Sequence, residues 1–200
     1  MQQPAKLNYK VYQGSTFNEI YRWESQTKVY TPILNISKAA PCVITTSSVP
    51  NLPVGWRFRV TGAGGMKEIN SLPEGFYLAT GVSTVDNKIA INAVNSLQYT
   101  AYTSGGVIEY GEPASLTGYS ARMQIRETVE DTAVIHEATT TNNQIRLDNV
   151  AKTIEVLIPA SVTQGFTFAT AVYSLELFNS SGTVVPFLVG NLTLVPEVTR

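Results

Sequence analysis

The segment Tyr119-Ser120-Ala121-Arg122-Met123-Gln124-Ile125-Arg126 alternates without a break. Tyr119, Ala121, Met123 and Ile125 face one way, and Ser120, Arg122, Gln124 and Arg126 the other. That is the pattern of a strand with one buried and one wet face. Weaker versions of the same alternation occur at Leu7 to Tyr12, Phe17 to Trp23, Gln144 to Leu147, Thr153 to Ile158 and Val172 to Phe178. Turn residues separate the runs at short intervals: Gln13-Gly14, Thr117-Gly118, Asn142-Asn143, Asp148-Asn149 and Ser181-Gly182. Asn179-Ser180-Ser181-Gly182 reads as a hairpin loop. No window supports three turns of helix, and the best candidate is a turn or so within Ala160 to Ala171, opened by Pro159 and interrupted by Gly165. Short strands at this spacing without intervening helices indicate an all-β chain, a β-sandwich or barrel, and the expected fold is an antiparallel β-sandwich.

The middle of the chain has a different texture. From about Ile36 to Tyr110 glycines are frequent and charges few, and short strands are expected at Val43 to Ser47, Trp56 to Thr61, Phe76 to Val82, Lys88 to Ala93 and Val107 to Tyr110. The expected organisation is therefore a discontinuous sandwich, residues 1–35 and 111–200, carrying an inserted small β module, residues 36–110. Two hundred residues suit this division.

Composition excludes several function classes. The formal net charge is −1 and charged residues are 14% of the chain, against roughly a quarter in ordinary globular proteins. A nucleic-acid binder would need a basic excess. Hydrophobic residues reach 44%, enough to bury a core. One cysteine forbids an internal disulfide framework and a cysteine zinc site, and one histidine forbids mechanisms that need two. Apolar runs such as Val184 to Val189 fall far short of the roughly 20 residues a membrane helix requires. The start, Met1 to Lys6, has no apolar core of a signal peptide. The expectation is synthesis and folding in a cytoplasm, which makes the N-x-S/T sequons at Asn35, Asn179 and Asn191 chance occurrences.

Each motif that suggests chemistry has a structural reading that fits better. Gly62-Ala63-Gly64-Gly65-Met66-Lys67 lacks the spacing and the following helix of a phosphate loop and reads as a tight turn. His136, in Ala133 to Glu137, reads as a strand histidine, and no Gly-x-Ser-x-Gly elbow accompanies it. Cys42 reads as a small buried hydrophobe. The pair Glu109 and Glu112, and the cluster Glu127, Glu130 and Asp131, read as solvated turn residues, without the ladder of a calcium loop. In Trp56-Arg57-Phe58-Arg59 a strand places both aromatics in the core and both arginines in water. Tyr99 and Tyr102, beside Gly105-Gly106, read as turn-flanking structural residues. No catalytic residue, cofactor site or metal site is expected.

Several segments carry a resemblance. Tyr9-Lys10-Val11-Tyr12-Gln13-Gly14-Ser15-Thr16-Phe17, Leu116-Thr117-Gly118-Tyr119 through Arg126, Tyr173-Ser174-Leu175-Glu176-Leu177 with Ser181-Gly182-Thr183-Val184, and Gly190 through Arg200 occur in this order. Together they resemble small β-sandwich proteins of tailed-bacteriophage tails and baseplates, of a tail-fibre proximal connector type. Between them, Ala39 to Thr46, Asn51 to Gly62, Gly64 to Asn70 and Tyr99 to Gly106 resemble a second module. It is similar to a small β-barrel of phage tail and fibre proteins related to the first-catalytic-cysteine-half domain of ubiquitin-activating enzymes. No ubiquitin chemistry is implied, because the one cysteine lies in the module's opening strand.

The resemblance implies a virion component, a tail, baseplate or fibre-attachment protein present in several copies. It would act by assembly with other tail or fibre proteins and bind no nucleic acid, membrane or small-molecule substrate. Two alternatives stand beside it: a head–tail connector or capsid decoration protein, and a host-surface protein that binds or cleaves carbohydrate.

Overall fold

The structure, a computed structural model, describes residues 3–198. It is all-β, with several antiparallel sheets and one short helix. The chain falls into two compact units, residues 1–22 with 115–200, and residues 23–114.

The first unit begins with β1 (Ala5–Lys6), β2 (Tyr9–Tyr12) and β3 (Phe17–Tyr21). The second unit follows with β4 (Glu24–Ile36), β5 (Cys42–Thr46), β6 (Arg57–Thr61), β7 (Tyr77–Leu78), β8 (Gly81–Ser83), β9 (Lys88–Ile91) and β10 (Val107–Pro113). The first resumes with β11 (Tyr119–Arg126), β12 (His136–Thr139), β13 (Ile145–Asp148), β14 (Thr153–Ile158), the single-turn helix α1 (Ala160–Thr163), β15 (Thr170–Asn179) and β16 (Val184–Val195).

In the first unit one sheet has the order β1-β16-β15-β11-β12, with β2 also on β16, and the other the order β13-β14-β3. β1 and β2 run parallel to β16, while the other pairings are antiparallel. Alternation decides what is buried. Ala121, Met123 and Ile125 of β11 lie within the core beside Leu177, Leu175 and Tyr173 of β15, their register partners. Within the larger sheet Tyr9 of β2 lies 6.1 Å from Tyr173 of β15 between centroids, and across to the other sheet it meets Phe17 of β3 edge-on at 5.5 Å. Edge-on contacts of this kind add about 0.5–1.5 kcal/mol beyond burial. The hairpin at Asn179 is closed by its own side chain, whose Oδ1 accepts from Ser181 N–H and Thr183 N–H.

The second unit is one seven-stranded antiparallel sheet, order β7-β6-β10-β4-β5-β9-β8. Its first and last strands, β7 and β8, are consecutive in the chain with only Ala79 and Thr80 between them. That link forces the sheet to curl until its ends meet. Ala79 donates to Trp56 C=O on one side, and Thr80 donates to Ala90 C=O on the other. The curled sheet wraps a core that includes Trp56, Phe58, Met66, Ile44 and Ile108, all fully or almost fully buried.

The boundaries differ from the expected joins at 35/36 and 110/111. Residues 24–35 belong to the middle unit, where β4 is the sheet's centre, pairing β10 along Glu24 to Pro32 and β5 from Ile33 to Ile36. A bulge between Ile33 and Asn35 turns the strand from one partner to the other. Entry and exit are neighbours: Glu24 lies opposite Pro113, and Ala114 N–H donates to Trp23 C=O at 3.0 Å. Adjacent ends are what allow a module to sit within a loop of another.

Candidate functional site

The glycine-rich segment is occupied by its own chain. Gly62 and Gly65 hold φ values of +73° and +72°. Gly64 N–H donates to Ser104 C=O at 2.8 Å, and Thr103 N–H donates back to Gly64 C=O. Asn70 bonds both the N–H and the C=O of Ala63. A single 3-10 turn, Lys67–Ile69, follows in place of a helix. These amides are committed to a loop-on-loop contact.

His136 sits on β12, its Nε2 2.6 Å from Gln144 Oε1 and its ring 6.0 Å from that of Phe166. Cys42 is fully buried in the other unit, with its thiol 3.7 Å from Ser37 C=O. Burial pushes that thiol above its ordinary pKa, with a contact to Ser96 opposing. A raised pKa removes the thiolate a nucleophile needs. Among the acids, Asp131 accepts from Thr128 N–H and Oγ1, and Glu109 lies 3.9 Å from Lys28. Among the described residues no group of three or more His, Cys, Asp or Glu side chains is placed to hold a metal. Tyr102 Oη lies 3.0 Å from Ile33 C=O and 2.9 Å from Gly105 C=O, and Tyr99 packs on the core of the second unit.

The Trp56 to Arg59 segment divides as its alternation dictates. Trp56 and Phe58 are buried, and the indole donates to Gly111 C=O at 2.9 Å. Arg57 and Arg59 project from the outer face of the sheet. There they line a cleft of about 220 Å³ with Glu24 and Lys28 of β4, Glu109 of β10 and the loop Pro73 to Phe76.

Charge in this cleft is arranged in two ion pairs, with Arg59 and Glu74 outside them. Arg57 clamps Glu24 with two bonds, Nε to Oε1 at 2.5 Å and Nη2 to Oε2 at 2.9 Å, and its guanidinium lies 5.9 Å from the Phe76 ring. The Glu24 carboxylate raises the Arg57 pKa further. Lys28 faces Glu109. Among the described residues no carboxylate lies within ion-pair distance of Arg59, whose Nη2 donates to Leu72 C=O at 3.1 Å. Its Nε is buried without an acceptor, alone in this among the non-exposed side chains described.

Sequence reasoning placed Arg57 and Arg59 on one wet face but missed the cleft. Glu24, Arg57 and Glu109 come from three strands whose adjacency follows from the β6-β10-β4 order, which no local pattern encodes. The one legible signal was the two arginines at period 2.

A second hollow, about 410 Å³, lies on the outer face of the first unit between Lys6, Arg126, Val129, Val172, Val189 and Asn191. Arg126 there donates to Asp131 C=O and Gln124 Oε1. Among the described residues no helix is long and apolar enough to cross a membrane. Compared with known proteins, the chain matches no family model, and no curated protein is significantly similar to it.

Proposed function

We propose that the protein is a structural component of a tailed-bacteriophage virion, a tail, baseplate or fibre-attachment protein that works by protein–protein assembly and has no active site. The observation that carries this reading is how the resembling segments lie together. The stretch Tyr119 to Arg126 is far in sequence from the stretches Tyr173 to Leu177 and Gly190 to Val195, which follow one another as the two arms of a hairpin. They run side by side as β11, β15 and β16 of one sheet. A chance likeness so distant from the hairpin would have no reason to pair with it, and β11 pairs β15 along its whole length.

Side-chain use supports the same reading. The residues that suggested chemistry hold the fold: His136 bonds Gln144, Cys42 lies in the core and Tyr102 ties a loop to β4. The outer face of the β12-β11-β15 strands carries Arg122 of β11 against Glu176 of β15 and Gln124 of β11 against Glu137 of β12. Polar, internally paired faces suit wet contacts between rigid subunits.

The test is protein content and infectivity of purified particles of the phage that encodes the chain. Mass spectrometry finds the protein in stoichiometric amount in the particles. The double variant Cys42→Ser with His136→Gln assembles and infects at near-normal levels. Normal-looking particles that fail to infect would reveal chemistry at one of these residues and defeat the reading.

A further inference from the structure

We propose that the cleft on the outer face of β6, β10 and β4 receives an acidic side chain of a partner protein, its carboxylate held side-on by Arg59. This rests on the assembly reading and names the chemistry of one contact.

Arg59 is the cleft's unspent cation. Glu24 and Glu109 are engaged by Arg57 and Lys28, while Arg59 has only a backbone carbonyl. A guanidinium binds a carboxylate best through two parallel N–H groups, and such charge-assisted bonds are about twice as strong as neutral ones. Two residues earlier Arg57 does this with Glu24 through Nε and Nη2. On Arg59 the same pair of nitrogens is half used: Nη2 donates to Leu72 C=O and Nε donates to nothing. A buried donor without a partner is costly to the fold. A carboxylate that takes the place of the Leu72 carbonyl satisfies both nitrogens at once.

The covering loop is suited to give way. Leu72 C=O also accepts from Gly75 N–H within a tight turn, and Leu72 and Phe76 are 77% and 53% exposed. Those apolar side chains offer contact to residues beside the incoming acid. The cleft is smaller than the roughly 300–1,000 Å³ of sites that enclose whole small molecules. A single side chain fits that scale. Glu74 and the paired Glu24 and Glu109 oppose a run of negative charges, so one isolated acid is favoured over a polyanion.

The test uses the full chain and the blocked tripeptide acetyl-Gly-Glu-Gly-amide, followed by the NMR signal of the Arg59 side-chain Nε–H. Parallel titrations use acetyl-Gly-Gln-Gly-amide, glucuronate and sodium chloride at matched ionic strength. The expected result is a saturable downfield shift of Arg59 Nε–H, with the amides of residues 72–76 moving together. Binding of the glutamine peptide is weaker by about tenfold, and in a folded Arg59→Gln protein the response of the 72–76 amides is lost. Should Arg59→Gln fail to fold, Arg59→Lys serves: it keeps the charge, loses the fork and weakens binding. Equal shifts with the glutamine peptide or with salt, or no effect of either substitution, overturn the proposal. Tighter binding of glucuronate than of the glutamate peptide also overturns it, in favour of an acidic sugar. None of these failures would remove the protein from the particle, which mass spectrometry reads separately.

Discussion

The space that a side chain on Gly190 would fill is held by the carbonyl oxygen of Leu7. Tyr173 Oη donates to the same oxygen at 3.0 Å, and Asn191 N–H donates to Asn8 Oδ1 at 2.9 Å. The turn from β1 to β2 is thereby fastened to β16 at one point. Gly190→Ala should destabilise the protein by about 1–3 kcal/mol, as overpacking against a rigid neighbour does. Denaturant unfolding of Gly190→Ala, alone and in a chain lacking residues 1–8, checks the cause. The penalty should largely vanish when Leu7 is absent, and an undiminished penalty would assign it elsewhere.

Alternation in β11 predicts unequal costs at adjacent positions. Ile125, 1% exposed and opposite Tyr173, should lose about 2–5 kcal/mol on replacement by Ala. Gln124, on the other face with bonds only to Glu137 and Arg126, should lose about 1 kcal/mol or less. Chemical denaturation of the two variants decides it; equal losses would mean that the outer face is covered as well.

Tyr9, Tyr21 and Tyr173 titrate above the ordinary range because burial disfavours the phenolate, most strongly at Tyr21. Their folded-state pKa values exceed the unfolded one, so the stability they confer is complete below about pH 10. It is lost as pH rises through the raised values. Thermal melts between about pH 8 and pH 12 should therefore fall, on account of these tyrosines, only above about pH 10. Tyr21→Phe should flatten that fall, and an unchanged alkaline slope would exclude Tyr21 as its source.

The two units set where the chain can be cut. Joining Arg22 to Ser115 through a short Gly/Ser linker should leave a folded sandwich, because no strand loses a partner. Joining Asn35 to Gly111 instead leaves residues 24–35 without β5 and most of β10, and should give a less stable, aggregation-prone protein. Circular dichroism and size-exclusion chromatography of the two shortened chains separate these outcomes. An unfolded 22/115 variant would contradict the division.

How far the sequence reaches is clear from β11 and β4. Tyr119 to Arg126 was legible because its alternation is strict and both ends carry turn residues. Glu24 to Ile36 was not read as a strand of the middle unit. Its first five residues are polar, Pro32 interrupts it, and proline ordinarily marks an edge. Here Pro32 lies opposite Val107, beside the bulge where β4 changes partner, and its carbonyl accepts from Ser47 N–H. The inward Trp56 and Phe58 were legible from period 2 alone. The idle Nε of Arg59 was not, because it depends on where the Leu72 carbonyl falls.

The most direct measurement of the central claim is a cryo-electron map of the intact phage particle. The account predicts density for the six-stranded and three-stranded sheets of the first unit and the curled sheet of the second, repeated in several copies within the tail or baseplate and in contact with other tail proteins. Particles whose tail and baseplate are fully accounted for by other chains, with this one absent or confined to the head, would contradict it.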